Sequence, residues 1–151
     1  MKDLILSIHD YLTNQSWCEF ISHDNIFLAL DLDLLPMNIG FPCVGIKDGS
    51  IEYDNDELTT ENRTAIMEVD LAIYVEIAKD DTPITGDMIY LPDGILALSS
   101  HLKASLTDNM LDIDGMESAL PVRETETELT GSDFLALRKI LTFQYTKLEE
   151  V

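Results

Sequence analysis

The sequence predicts one α+β domain spanning residues 1–151, a mainly antiparallel twisted sheet with an N-terminal helix and a central helix packed on it. Three observations carry the prediction. Two long segments, 66–79 and 134–147, alternate along the chain with period two. Two others, near residues 2–14 and 94–106, repeat apolar residues at three- and four-residue steps. The 151-residue length suits a single core, and no internal repeat or second domain is visible.

In KDLILSIHDYLTN, Leu4, Ile5, Ile8, Tyr11 and Leu12 form one apolar stripe, with Lys2, Asp3, Ser7 and Asp10 on the other side. Trp17, Phe20 and Ile21 follow as expected core anchors. Residues 25–35, NIFLALDLDLL, read as a strand in which Leu30, Leu32 and Leu34 face one way and Asp31 and Asp33 the other. Pro36 and Pro42 bracket a connection. FPCVGIKDGSIEY then reads as a short hairpin turning at Asp48-Gly49. DNDELTTENRT has no periodicity and reads as a loop.

The strand 66–79, IMEVDLAIYVEIAK, places Met67, Val69, Leu71, Ile73, Val75 and Ile77 on one face. Glu68, Asp70, Tyr74 and Glu76 lie on the opposite face. A long strand with one wet face belongs to an antiparallel sheet. In PDGILALSSHLKASL, Asp93 is a natural N-cap, and Ile95, Leu98, Leu102 and Leu106 make a helical stripe. SALPVRETETEL, 118–129, reads as extended, and FLALRKILTFQYTK closes the domain as a strand. Helices segregated to one face of such a sheet define the α+β class.

Composition narrows the function. With 46% hydrophobic and 25% charged residues the chain is globular rather than disordered. Its 29 Asp plus Glu against 9 Lys plus Arg leave a formal charge of −20 and a pI near 4.1. General nucleic-acid binding is excluded, because such binding depends on cations that neutralise phosphates. The charge fits a protein that repels DNA, mimics it or meets a basic partner. Cys18 and Cys43 lack metal-like spacing and read as buried thiols in a reduced compartment. No secretory signal or bilayer-length apolar run is visible, so the expectation is a cytoplasmic protein with no membrane contact.

Charge is distributed unevenly in the last quarter of the chain. In RETETEL, Glu124, Glu126 and Glu128 alternate, and an extended backbone would point all three carboxylates the same way, roughly 7 Å apart. They read either as a solvated face or as a surface kept negative for DNA that must pass without sticking. In the final strand Leu135, Leu137, Lys139, Leu141, Phe143 and Tyr145 share a face, with Arg138 on the other. Arg138 could sit across from Glu68, Asp70 or Glu76, where opposite charges contribute about 0.2–1 kcal/mol. Alternatively, Arg138 and Lys139 meet the acidic face of an adjacent subunit.

The chemistry expected of an enzyme is not found. LDIDG offers Asp112, Asp114 and Gly115 as a fragment of a calcium loop, but Met110 and Pro121 occupy positions where ligands are required. Asp70 and Glu76 share a strand face while Lys79 lies on the other, which is wrong for a magnesium nuclease. His9, His23 and His101 are scattered over separate segments. No nucleophile elbow, phosphate-binding glycine loop or dinucleotide fingerprint occurs. No catalytic, cofactor-binding or metal-ligating residue is assigned, and no cofactor is expected.

The order of these segments resembles a known family. An amphipathic N-terminal helix, FPCVGIKDG, AIMEVDLAIYVEIAK, ILALSSHLKASL and a closing LRKILTFQYTKLE together are similar to the tail-terminator, or tail-completion, proteins of long-tailed bacteriophages and prophages. The resemblance implies a structural, non-enzymatic subunit that forms a ring with copies of itself, commonly a hexamer. Such a ring caps the tail tube and joins it to the head, so the implied partners are tail-tube and head-tail connector proteins. DNA would be in transit through an acidic lumen, not bound. The implied location is the host cytoplasm during assembly and then the virion tail. On this reading Glu124, Glu126 and Glu128, or the 52–61 loop, line the lumen, and Arg138 with Lys139 contacts the next subunit. The alternatives are an acidic DNA mimic or an adaptor that binds a basic host protein, and a metal-dependent phosphodiesterase.

Overall fold

The computed structural model describes residues 1–15, 21–54, 62–76, 94–130 and 136–150. Helix α1 (Lys2–Asn14) buries Leu4, Ile8 and Leu12, the centre of its predicted stripe. Ile21 is buried as expected, while Trp17 and Phe20 lie outside the described residues. A single 3₁₀ turn, His23–Asn25, leads into β1 (Ile26–Leu28). Strands β2 (Cys43–Asp54) and β3 (Asn62–Glu76) follow. Helix α2 (Ile95–Leu106) precedes β4 (Met116–Glu124), β5 (Glu128–Leu129) and β6 (Ala136–Glu150).

The six strands form one mixed sheet in the order β1-β2-β3-β6-β4, with β5 also paired to β6. All neighbours are antiparallel except β1 and β2, so the α+β class holds with one parallel pair. The sheet is centred on β3 and β6, paired without interruption from Asn62↔Glu150 to Glu76↔Ala136. Register follows from period. Met67, Val69, Leu71, Ile73 and Val75 match Tyr145, Phe143, Leu141, Lys139 and Leu137, and a slip of one residue would turn one strand's row away from the helices. Apart from Lys139, these residues join α1 and α2 in the principal core, where Ile95, Leu98, Leu102 and Leu106 of α2 are fully buried. Gly94 caps α2; the expected cap Asp93 lies outside the described residues.

Four expectations are corrected. The strand expected over 25–35 pairs only at Ile26–Leu28. Beyond Ala29, the Asp31 carboxylate accepts the Asp33 N–H at 2.8 Å and the Leu34 N–H reaches the Asp31 carbonyl at 3.2 Å. This side-chain turn replaces the ladder, so Leu32 is buried while Leu30 and Leu34 point to solvent. Second, Asp48-Gly49 is not a hairpin turn. Strand β2 runs through it, and the register passes from Asp48↔Val69 to Ile51↔Met67, a bulge. A side chain at Gly49 would come within 2.8 Å of the Glu68 carbonyl, which explains the glycine. Third, the loop expected through Thr64 gives way to strand at Asn62.

Fourth, the second face of β3 is not wet along its length. Tyr74 and Ala72 are fully buried with Cys43, Ala136 and Leu32, beneath a cover formed by residues 29–42. The Tyr74 hydroxyl donates to the Leu32 carbonyl and fastens this cover. Burial pushes both the Tyr74 phenol and the Cys43 thiol up to about 12, so both stay neutral. Among the described residues the sheet therefore has helices on one side and, over the Tyr74 end of the other, an irregular segment.

Candidate interaction surface

The carboxylates at Glu124, Glu126 and Glu128 do not form one row. Glu124 pairs with Leu141 and Glu128 with Arg138, so three residues on one strand face two on the other. The extra residue reverses side-chain parity. Glu124 turns to the helix side, where it accepts hydrogen bonds from Ser99 Oγ at 3.0 Å and Lys103 Nζ at 2.8 Å on α2. Lys139 Nζ lies 3.4 Å away on the same side. Partial burial alone would raise the Glu124 pKa. The bonds from Lys103 and Ser99, with the charges of Lys103 and Lys139, outweigh it and hold the carboxyl below its ordinary value. Glu128 lies on the opposite face and accepts both Nε (3.2 Å) and one terminal nitrogen (3.0 Å) of Arg138. Glu126 is exposed.

Arg138 and Lys139 are committed within the chain. The Arg138 side chain is 11% exposed, and besides Glu128 it donates to Asp33 and, at 3.0 Å, to the Leu32 carbonyl. It thereby ties β5 and the 29–42 cover to β6. Burial disfavours its charge, and the hydrogen bonds to Asp33 and Glu128 more than compensate, raising its pKa. Lys139 is 10% exposed and donates to the Thr125 carbonyl at 2.6 Å. Of the carboxylates expected across from Arg138, Glu68 takes Arg123 (2.7 Å) and Asp70 accepts the Thr142 hydroxyl (2.6 Å). Arg138 itself stands across from Tyr74. With Arg63–Glu149, five of the nine cations, Arg63, Lys103, Arg123, Arg138 and Lys139, are paired to the chain's own carboxylates.

The histidines, expected to be scattered, remain so; His9 donates through Nε2 to the Ile26 carbonyl at 3.2 Å, since a carbonyl only accepts. Asp112 and Gly115 shape the turn between α2 and β4, each with positive φ. Among the described residues no group of three or more His, Cys, Asp or Glu is arranged to hold a metal ion. No helix among them is long and apolar enough to cross a membrane. The surface has a feature that periodicity did not reveal. Leu30 is 97% exposed, Met37 92% and Leu34 68%, all on the 29–42 cover.

Helices on one face of a mixed, mainly antiparallel sheet define a small α+β domain with a strongly acidic composition. No protein-family model matches the chain, and no curated protein does either. Among solved structures, a chain from one described as the virion of a native gene transfer agent particle has the same fold, with a TM-score of 0.67 at 12% identity. The likeness covers 97% of this chain and 95% of that one.

Proposed function

We propose that this chain is a structural subunit of a phage-like virion, working by assembly with other virion proteins. The carrying observation is the near end-to-end fold likeness to a virion chain, with almost nothing left over on either side. Within that reading the chain acts at the tail as a terminator, forming a ring of identical copies between the tail tube and the head-tail connector. A closed ring needs two different contact faces per subunit. The charge of −20 suits a lumen through which DNA slides without adhering. On this reading Glu126, which is exposed, faces that lumen, while Glu124 and Glu128 are engaged in ion pairs within the chain.

Two measurements test this. Mass spectrometry of purified particles should recover the chain as a stoichiometric component; its absence from intact particles overturns the virion reading. Native mass spectrometry and negative-stain electron microscopy at high protein concentration, with and without tail tubes, should show closed rings. A strict monomer under both conditions overturns the ring.

A further inference from the structure

The 29–42 cover is built to present apolar side chains outward. Its inner side is fixed by Leu32 and by the hydrogen bonds that Tyr74 and Arg138 donate to the Leu32 carbonyl. Its turns are fixed by the Asp31 carboxylate and by the Ile39 N–H to the Pro36 carbonyl (3.4 Å). On that anchored frame Leu30, Leu34 and Met37 face solvent, beside Leu28, 49% exposed at the end of β1. Single exposed leucines are ordinary, but several large apolar side chains on one short, pinned segment are not.

Charge identifies the partner. From Asp3 to Ile46 the sequence contains no Lys or Arg, and Arg138, which reaches this segment from β6, is itself taken up by Asp33 and Glu128, so the charge left on this side is that of carboxylates such as Asp24 and Asp31. A second copy has little to offer opposite them, because five of its nine cations are already paired internally. We propose that Leu30, Leu34 and Met37 form a docking surface for a different protein, one offering an apolar recess rimmed by Lys and Arg. The apolar side chains supply the affinity and the flanking carboxylates the orientation. Because the segment is fastened beforehand, little ordering entropy opposes docking. The inference rests on the virion reading only for the existence of a neighbouring protein.

The test uses the whole chain and a synthetic amphipathic helical peptide with a leucine face and lysine flanks. Poly-lysine is the control for charge alone. Binding is followed by calorimetry and by amide chemical shifts. The expected result is shifts centred on residues 28–38 and affinity roughly tenfold or more weaker in L30S/M37S, since those two side chains supply most of the exposed apolar area. L120S/V122S, altered at exposed apolar residues elsewhere, should bind as the parent does. Both replaced pairs are solvent-facing, so thermal melting should confirm that each variant folds. Peptide affinity unchanged by L30S/M37S, or poly-lysine binding equally well, overturns the proposal. So does sedimentation showing self-association that L30S/M37S abolishes, because the occupant would then be a second copy. None of these outcomes bears on whether the chain is found in particles.

Discussion

Replacing Glu124 by Gln tests whether its carboxylate fastens α2 to the sheet. The carboxylate is 30% exposed and joins Ser99, which is buried, Lys103, 34% exposed, and Lys139, 10% exposed. A hydrogen bond to a charged group contributes about 1.5–3 kcal/mol when shielded. Exposure reduces the Lys103 pair to about 0.5 kcal/mol. Gln can still bond Ser99, so the loss falls mainly on the two lysines, and the expected cost is about 1–2 kcal/mol. For a domain of this size that lowers Tm by roughly 2–8 °C. Urea titration with unchanged slope should report the same loss. In a Lys139→Met background the cost should shrink by about 0.5–1 kcal/mol, since the two residues share the interaction. The pH dependence has a definite sign. The folded-state pKa of Glu124 lies below its ordinary 4.5, so its contribution is complete above that value and fades as pH falls through the folded pKa. Parent and variant should therefore differ at neutral pH and converge in acid. A neutral-pH cost under about 0.5 kcal/mol, or an equal cost at both pH extremes, would refute the reasoning.

Other outcomes follow from the same structure. Tyr145 is fully buried and its hydroxyl has no hydrogen-bond partner among the described residues, so Tyr145→Phe should stabilise by about 1 kcal/mol in urea unfolding. A loss of similar size would reveal a bound water. Gly115→Ala should cost roughly 1–3 kcal/mol, because φ is +79° and the added methyl would sit 2.4 Å from the Leu148 carbonyl; a neutral result in thermal melting would contradict that geometry. Moderate sodium chloride should raise Tm, since screening relieves the self-repulsion of twenty excess negative charges. A falling Tm would show that the internal ion pairs outweigh that repulsion.

What could be read from the sequence was whatever one uninterrupted period controls. Helix α1 and the long strands β3 and β6 carry their apolar rows for three or more turns or pleats, and no competing local interaction disturbs them. Short patterns were less reliable. The Leu-Asp alternation at 30–34 looks like a strand until the Asp31 side chain captures the Asp33 N–H. Asp48-Gly49 looks like a turn, but fifteen paired residues of β3 and β6 keep β2 extended beside them and a bulge absorbs the irregularity. In RETETEL one additional residue sends Glu124 and Glu128 to opposite faces, which no spacing rule can foresee. Tyr74 was grouped with the polar face because only tertiary structure brings residues 29–42 over it. The same cover leaves Leu30 and Met37 bare, a property of surface and not of pattern.

The margins of the sheet have a bearing on assembly. On β4, Pro121 has no N–H to offer and the Ala119 carbonyl is already taken by the Asp108 N–H. On β1, only three residues long, the Ile26 carbonyl is taken by His9. At high protein concentration, open strand edges template pairing with other chains and seed fibrils. Among the described residues these groups of β4 and β1 are closed to an added strand, so an association of copies would fall to side-chain contacts, whose geometry limits its growth.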